Sequence, residues 1–121
     1  MPEDEIADIL DLMLESIKLI QERFTRIRVP DDFVSTPEGV TFLDAISMRL
    51  QVIGESVKRI QKRNPVFLAT YSEIAWDKVA RFRDLVSYHY EHVDHEVTFD
   101  ICKNHIPKLG GVLEKLRKTH L

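Results

Sequence analysis

Apolar side chains recur at steps of three and four through most of this chain, the spacing of helices that bury one face. Ile6, Ile9, Leu10, Met13, Leu14, Ile17, Ile20 and Phe24 follow it, with Glu, Asp, Lys and Gln between them. They predict an amphipathic helix from about Glu3 to Phe24, whose acidic start suits the positive end of a helix dipole. Residues 25–34 break the pattern with Pro30, two Asp and a β-branched and aromatic mixture. A second helix opens at Ser35, which fits a capping box with Glu38, and Pro37 suits its first turn. Val40, Leu43, Ile46, Leu50, Ile53, Val57 and Ile60 carry it to about Lys62. A flank of Phe42, Ala45, Met48 and Val52 widens the apolar face enough to meet more than one neighbour, a second subunit among them.

Asn64-Pro65 ends that helix, because the residue before proline is pushed out of the helical region. A connection of about ten residues holding Phe67, Leu68 and Tyr71 leads to a third helix. It starts near Glu73 to Trp76 and continues through Ser87, with Ile74, Val79, Phe82, Leu85 and Val86 as its stripe and Trp76 as a core anchor. Val93 and Asp94 read as a staple and N-cap opening a last helix. Val97, Ile101, Leu109, Val112, Leu113 and Leu116 line its inner face. Pro107 should kink or split it near His105, and Gly110-Gly111 either weaken it or admit another helix closely. No stretch alternates with strand period. The expectation is an all-α, four- to five-helix up-and-down bundle forming a single domain over residues 1–121.

Composition narrows the class without changing that picture. A chain of 121 residues, 44% apolar and 31% charged, with four Gly and five Pro, has no low-complexity linker or repeat. Its single cysteine, Cys102, excludes an internal disulfide, suits a reducing compartment and reads as a small buried hydrophobe. No run is long enough to span a membrane, and the acidic start is the reverse of a signal peptide, so a cytoplasmic address is expected. The net charge of −3 argues against broad nucleic-acid affinity but leaves room for a local basic groove. Lys58, Arg59, Lys62 and Arg63 form one candidate. They either complement the negative end of the second helix or bind phosphate.

Candidate chemistry concentrates between Arg83 and Tyr90. Arg83, Asp84, Tyr88, His89 and Tyr90 place a guanidinium, a carboxylate, two phenols and an imidazole within about two helical turns. Arg grips phosphate with a planar fork, and His moves protons near neutral pH. Those two groups are what metal-free cleavage of an RNA phosphodiester requires. On one straight helix Tyr88 and His89 would lie about 120–140° from Arg83 at about 100° per residue. The helix must therefore end near Ser87, or two chains must share the site. The plainer reading of Arg83-Asp84 is an exposed ion-pairing face. His89, His92 and His95 step by three, weak evidence for a metal. The absence of a Gly-rich phosphate loop, a CxxC pair or a GxSxG elbow excludes several enzyme classes.

From Ser35 to Leu109 the chain resembles the HepT-like branch of the HEPN superfamily. The carriers are Ile53-Gly54-Glu55, Ile74-Ala75-Trp76, the Arg83–Tyr90 stretch and Cys102-Lys103-Asn104-His105-Ile106-Pro107. The resemblance implies a bundle that dimerises through its longer helices, with two Arg/His motifs facing each other across the cleft. It implies a metal-independent endoribonuclease toxin, needing no cofactor, and a nucleotidyltransferase antitoxin that transfers AMP to a motif tyrosine. That motif is Arg, four residues, His, one residue, Tyr. Arg83 and Tyr90 match it, but Tyr88 stands at the His position and His89 follows one later, within the looser superfamily spacing.

On this resemblance Arg83 binds the scissile phosphate, His89 transfers protons, Asp84 orients a partner group, and Tyr90 accepts AMP. Lys58, Arg59 and Lys62 would hold RNA. A phenol with a pKa of about 10 exchanges protons poorly at neutral pH. The departure at Tyr88 therefore implies an alternative, a catalytically impaired module that keeps the dimer and the nucleotidyltransferase contact.

Overall fold

Three long helical segments pack antiparallel because each buries a stripe that the others complete. A computed structural model describes residues 2–89 and 92–120. Helix α1 (Pro2–Phe24) buries Ile6, Ile9, Leu10, Met13, Ile17 and Ile20 against α2 (Pro37–Arg63) and α6 (Ile106–Thr119). Glu5 pairs with Arg63, placing the start of α1 beside the end of α2. Arg117 donates to Asp11 at 2.8 Å, and Gly110 lies against Ile17, so α6 also runs antiparallel to α1. The core is continuous, and Trp76 is the anchor expected, its indole N–H donating to the Tyr71 carbonyl at 3.0 Å. The all-α bundle is therefore the observed architecture.

Several local features depart from the sequence expectation. Thr36, not Ser35, caps α2: its hydroxyl accepts from the Gly39 N–H at 2.9 Å, and Pro37 opens the first turn. The residues before it form a 3-10 turn (Pro30–Phe33) whose Phe33 packs with Phe24 at a centroid distance of 6.4 Å. The third helix is two short ones, α3 (Trp76–Ala80) and α4 (Phe82–Val86), separated by an elbow at Arg81. That elbow falls where the Val79 and Ala80 carbonyls lie against Gly54 of α2.

Beyond α4 the chain forms a small antiparallel ribbon, β1 (Ser87–His89) with β2 (His92–Val93), too short to show a strand period in the sequence. Helix α5 (His95–Asp100) then runs into a π-helical turn (Ile101–His105) and on into α6. The interruption expected from Pro107 near His105 takes the form of this π turn. The wider turn, closed by the Ile106 N–H on the Ile101 carbonyl, gives the ring the space an α-helical carbonyl would occupy. Val40 and Leu85, read as inner-stripe positions, are exposed, and Met48 on the α2 flank is 61% exposed. No helix among the described residues is long and apolar enough to cross a membrane.

Candidate functional site

Helix α4 is held from one side only. Phe82 and Val86 are buried and fix it to the core, while Arg83, Asp84 and Leu85 face outward. A five-residue helix is not stable by itself, so these two anchors and the elbow before it determine its direction. The helix stops at Val86, whose carbonyl accepts from the Asp94 N–H at 2.6 Å. That bond closes the ribbon at its base, with Ser87 opposite Val93 and His89 opposite His92. The Asp94 carboxylate then caps α5, accepting from the Glu96 N–H at 3.1 Å and the Val97 N–H at 3.0 Å. Residues 87–89 and 92–93 are thus two paired strands fastened at their base to α4 and α5.

This geometry removes the obstacle that a straight helix would impose. Arg83 is on a helix and positions 88 and 89 are on a strand leaving it, so the angular separation expected on a continuous helix does not apply. The side chains of Tyr88 and His89, and the whole of Tyr90, lie outside the described residues. The ion-pairing reading of Arg83-Asp84 finds no support: neither side chain pairs with the other or with another described side chain.

The basic cluster on α2 is divided. Lys58, Arg59 and Lys62 are exposed, and Lys58 pairs with Glu55 at 3.4 Å, whereas Arg63 is occupied by Glu5. A screened pair between exposed groups is worth little, so Lys58 remains available to a phosphate. Cys102 is buried, and burial pushes its thiol up to about 12, which makes it inert as a nucleophile. Among the described residues no three His, Cys, Asp or Glu side chains converge as metal ligands.

Two features were not legible as candidates. A cleft of about 220 Å³ lies between the 3-10 turn and the start of α2, lined by Arg26, Arg28, Asp32, Thr36, Glu38 and Phe42 among others. The backbone N–H groups of Arg28 and Val29 hold the Asp32 carboxyl below its usual value. The sequence signalled this region only as a break in periodicity. The π turn exposes a second polar group, in which Asp100 accepts from Asn104 at 2.7 Å and faces His105 at 3.5 Å. The i to i+5 offset between Asp100 and His105 meets only because the turn is widened.

Comparison with known proteins converges on one family. The family model described as Ribonuclease HepT-like matches residues 13–116. A Thermococcus cleftensis protein named a probable ribonuclease HepT is 38% identical over 111 residues, covering 92% of this chain and 94% of that one. A Methanocaldococcus jannaschii protein named a gamma-glutamylcyclotransferase and candidate RNase is 37% identical over 108 residues. That alignment covers 88% of this chain but 45% of the longer relative, so the chain spans less than half of it. A second M. jannaschii protein, named a candidate RNase, is 31% identical over 118 residues, covering 98% of this chain and 92% of that one. No solved structure matches the chain.

Proposed function

Because this chain belongs to the ribonuclease HepT-like family, we propose that it is a metal-independent endoribonuclease, the toxin of a toxin–antitoxin pair. One observation carries the reading: an exposed guanidinium, Arg83, with no described ion-pair partner, stands on the last turn before the hairpin that bears His89. In the proposed reaction a base, His89, takes the proton of a ribose 2′-hydroxyl. The 2′-oxygen attacks the adjacent phosphorus, and Arg83 stabilises the added charge of the phosphorane. The bond from phosphorus to the 5′-oxygen then breaks, and that oxygen takes up the proton. The products are a 2′,3′-cyclic phosphate and a 5′-hydroxyl. Asp84 would orient Arg83 or the imidazole, and Lys58, Arg59 and Lys62 would hold the backbone of the RNA.

Two copies would complete the site across a cleft. Exposed Val40 and Met48 on α2, the helix of Lys58, and Leu85 on α4, the helix of Arg83, supply apolar surface for such a contact. A nucleotidyltransferase partner would neutralise the enzyme by transferring AMP to Tyr90. Cleavage of RNA in the presence of a chelator, with cyclic phosphate ends and a dimer by sedimentation, is the expected result. Activity that disappears with chelator and returns with added metal contradicts the mechanism. Intact mass after co-expression with a nucleotidyltransferase should show AMP additions, abolished in Tyr90→Phe.

Tyr88 at the family's His position favours a second reading, a binding module without catalysis. Tyr88→His separates the two. A large gain of cleavage supports the silent module, whereas equal activity in both forms supports His89 as the working base.

A further inference from the structure

We propose that Gly54 is a positioning residue for Arg83, acting through the α3–α4 elbow; the assignment rests on the ribonuclease reading for its catalytic consequence. Gly54 is buried in the middle of α2. A Cβ placed there would lie 3.0 Å from the Val79 carbonyl oxygen and 3.1 Å from that of Ala80. Both atoms are backbone, so neither retreats by rotating a side chain; the elbow itself must move by a few tenths of an ångström. Only Arg81 and Phe82 separate Ala80 from Arg83. Helix α4 has two further restraints, its buried Phe82 and Val86 and the Asp94 N–H on the Val86 carbonyl. With its far end fastened, a push at the elbow tilts this short helix and redirects the side chain between.

Of the other helical glycines that face a neighbour, Gly39 also meets backbone, the Asp32 carbonyl of the 3-10 turn, but not the elements that carry Arg83. At Gly110 an added Cβ would meet the Ile17 side chain at 3.3 Å, a contact that a rotamer change relieves, on the seam of α1 and α6. Gly110→Ala is therefore the matched control. It crowds the core by a similar amount without touching the elements that carry Arg83.

The test measures RNA cleavage by Gly54→Ala and Gly110→Ala, each alone and with Arg83→Ala, together with the amide and Arg83 Nε–H resonances. Misplacing a catalytic group by a fraction of an ångström costs on the order of 10-fold or more. Gly54→Ala should thus lower kcat by about 10-fold with KM within about 2-fold, while Gly110→Ala keeps both. The Arg83 Nε–H resonance should shift in the first and not in the second. In the Arg83→Ala background Gly54→Ala should cost nothing further, because the group it aims is gone. A wild-type kcat in Gly54→Ala overturns the assignment, as does an equal loss with and without Arg83. Should Gly54→Ala not fold, Ala80→Gly instead frees the backbone of the elbow itself, and a wild-type kcat there also overturns it. Wild-type protein that cleaves no RNA sinks the ribonuclease reading instead, and the Arg83 resonance then decides the positioning claim alone.

Discussion

The two sides of α2 are built on different rules. Toward α1, which in turn packs on α6, it meets a long helix whose buried residues repeat with helical period and which pairs Glu5 with Arg63 of α2 and Asp11 with Arg117 of α6. Toward α3, α4 and the ribbon it meets elements of five residues or fewer, the two helices held by two or three buried side chains each and the ribbon by backbone bonds. Isolated helices that short do not form in water, so their shape is dictated by what they lean on. The first side carries stability that is spread over many contacts. The second carries exposed Arg83 and Asp84, on a support where small displacements matter. Low redundancy there is what a site that must align a guanidinium with a proton-transfer group would require.

The sharpest way to break this contrast is a pair of substitutions. Leu10→Ala, in the fully buried frame, should cost about 2–5 kcal/mol of unfolding free energy. It should leave the cleavage rate of the protein that remains folded near wild type. Arg83→Ala should do the reverse, lowering cleavage by about 10²–10³-fold with an unchanged Tm. Denaturant unfolding and initial rates measure both. A large loss of stability in Arg83→Ala would mean that the exposed side chain is a structural element, and the contrast would fail.

A smaller effect is expected where the ribbon meets α5. Asp94 serves two roles, its backbone N–H closing the hairpin on Val86 and its carboxylate capping α5. Asp94→Ala keeps the first and removes the second, so it should cost about 1 kcal/mol. Faster amide exchange confined to Glu96, Val97 and the ribbon would sharpen the contrast. Exchange that quickens equally in α1 would show that the two sides open together.

The same division explains what could be read from residues alone. The long helices were legible because burial of one face imposes a period, and Asp94, Trp76 and an interruption near His105 before Pro107 have local chemical causes. The Arg81 elbow was not legible, because nothing between Glu73 and Ser87 forbids a continuous helix. It falls where the chain passes closely against Gly54, some 25 residues earlier. The ribbon escaped for a related reason, since two strands this short are specified by their fastened ends. Arg83 and Asp84 were legible as chemistry, but that neither pairs with a described side chain depends on which way α4 faces. The cleft at Arg26 and Asp32 depends on how the chain folds back between α1 and α2, which no local pattern encodes.

The smallest expected effect sits at the joint between the two sides. Asp32 belongs to the 3-10 turn, which connects α1 to α2 and packs on α5 beside the Phe24–Phe99 contact of 5.2 Å. Its carboxylate accepts from the Arg28 N–H at 2.8 Å and the Val29 N–H at 3.2 Å, which lowers its pKa from 3.8. A folded value below the unfolded one contributes stability that is present above the unfolded pKa and is lost as pH falls through the folded one. Acid should therefore loosen this joint progressively as pH falls through the ordinary carboxylate range and below it. The Arg28 and Val29 amide resonances should titrate together in that window, and Asp32→Asn should flatten them. Because the turn leans on α5, the Val93 and Asp94 amides should follow with smaller shifts, while those in the middle of α1 stay still. Movement of the α1 amides at the same pH would mean that acid acts on the whole bundle, leaving no separate joint to titrate.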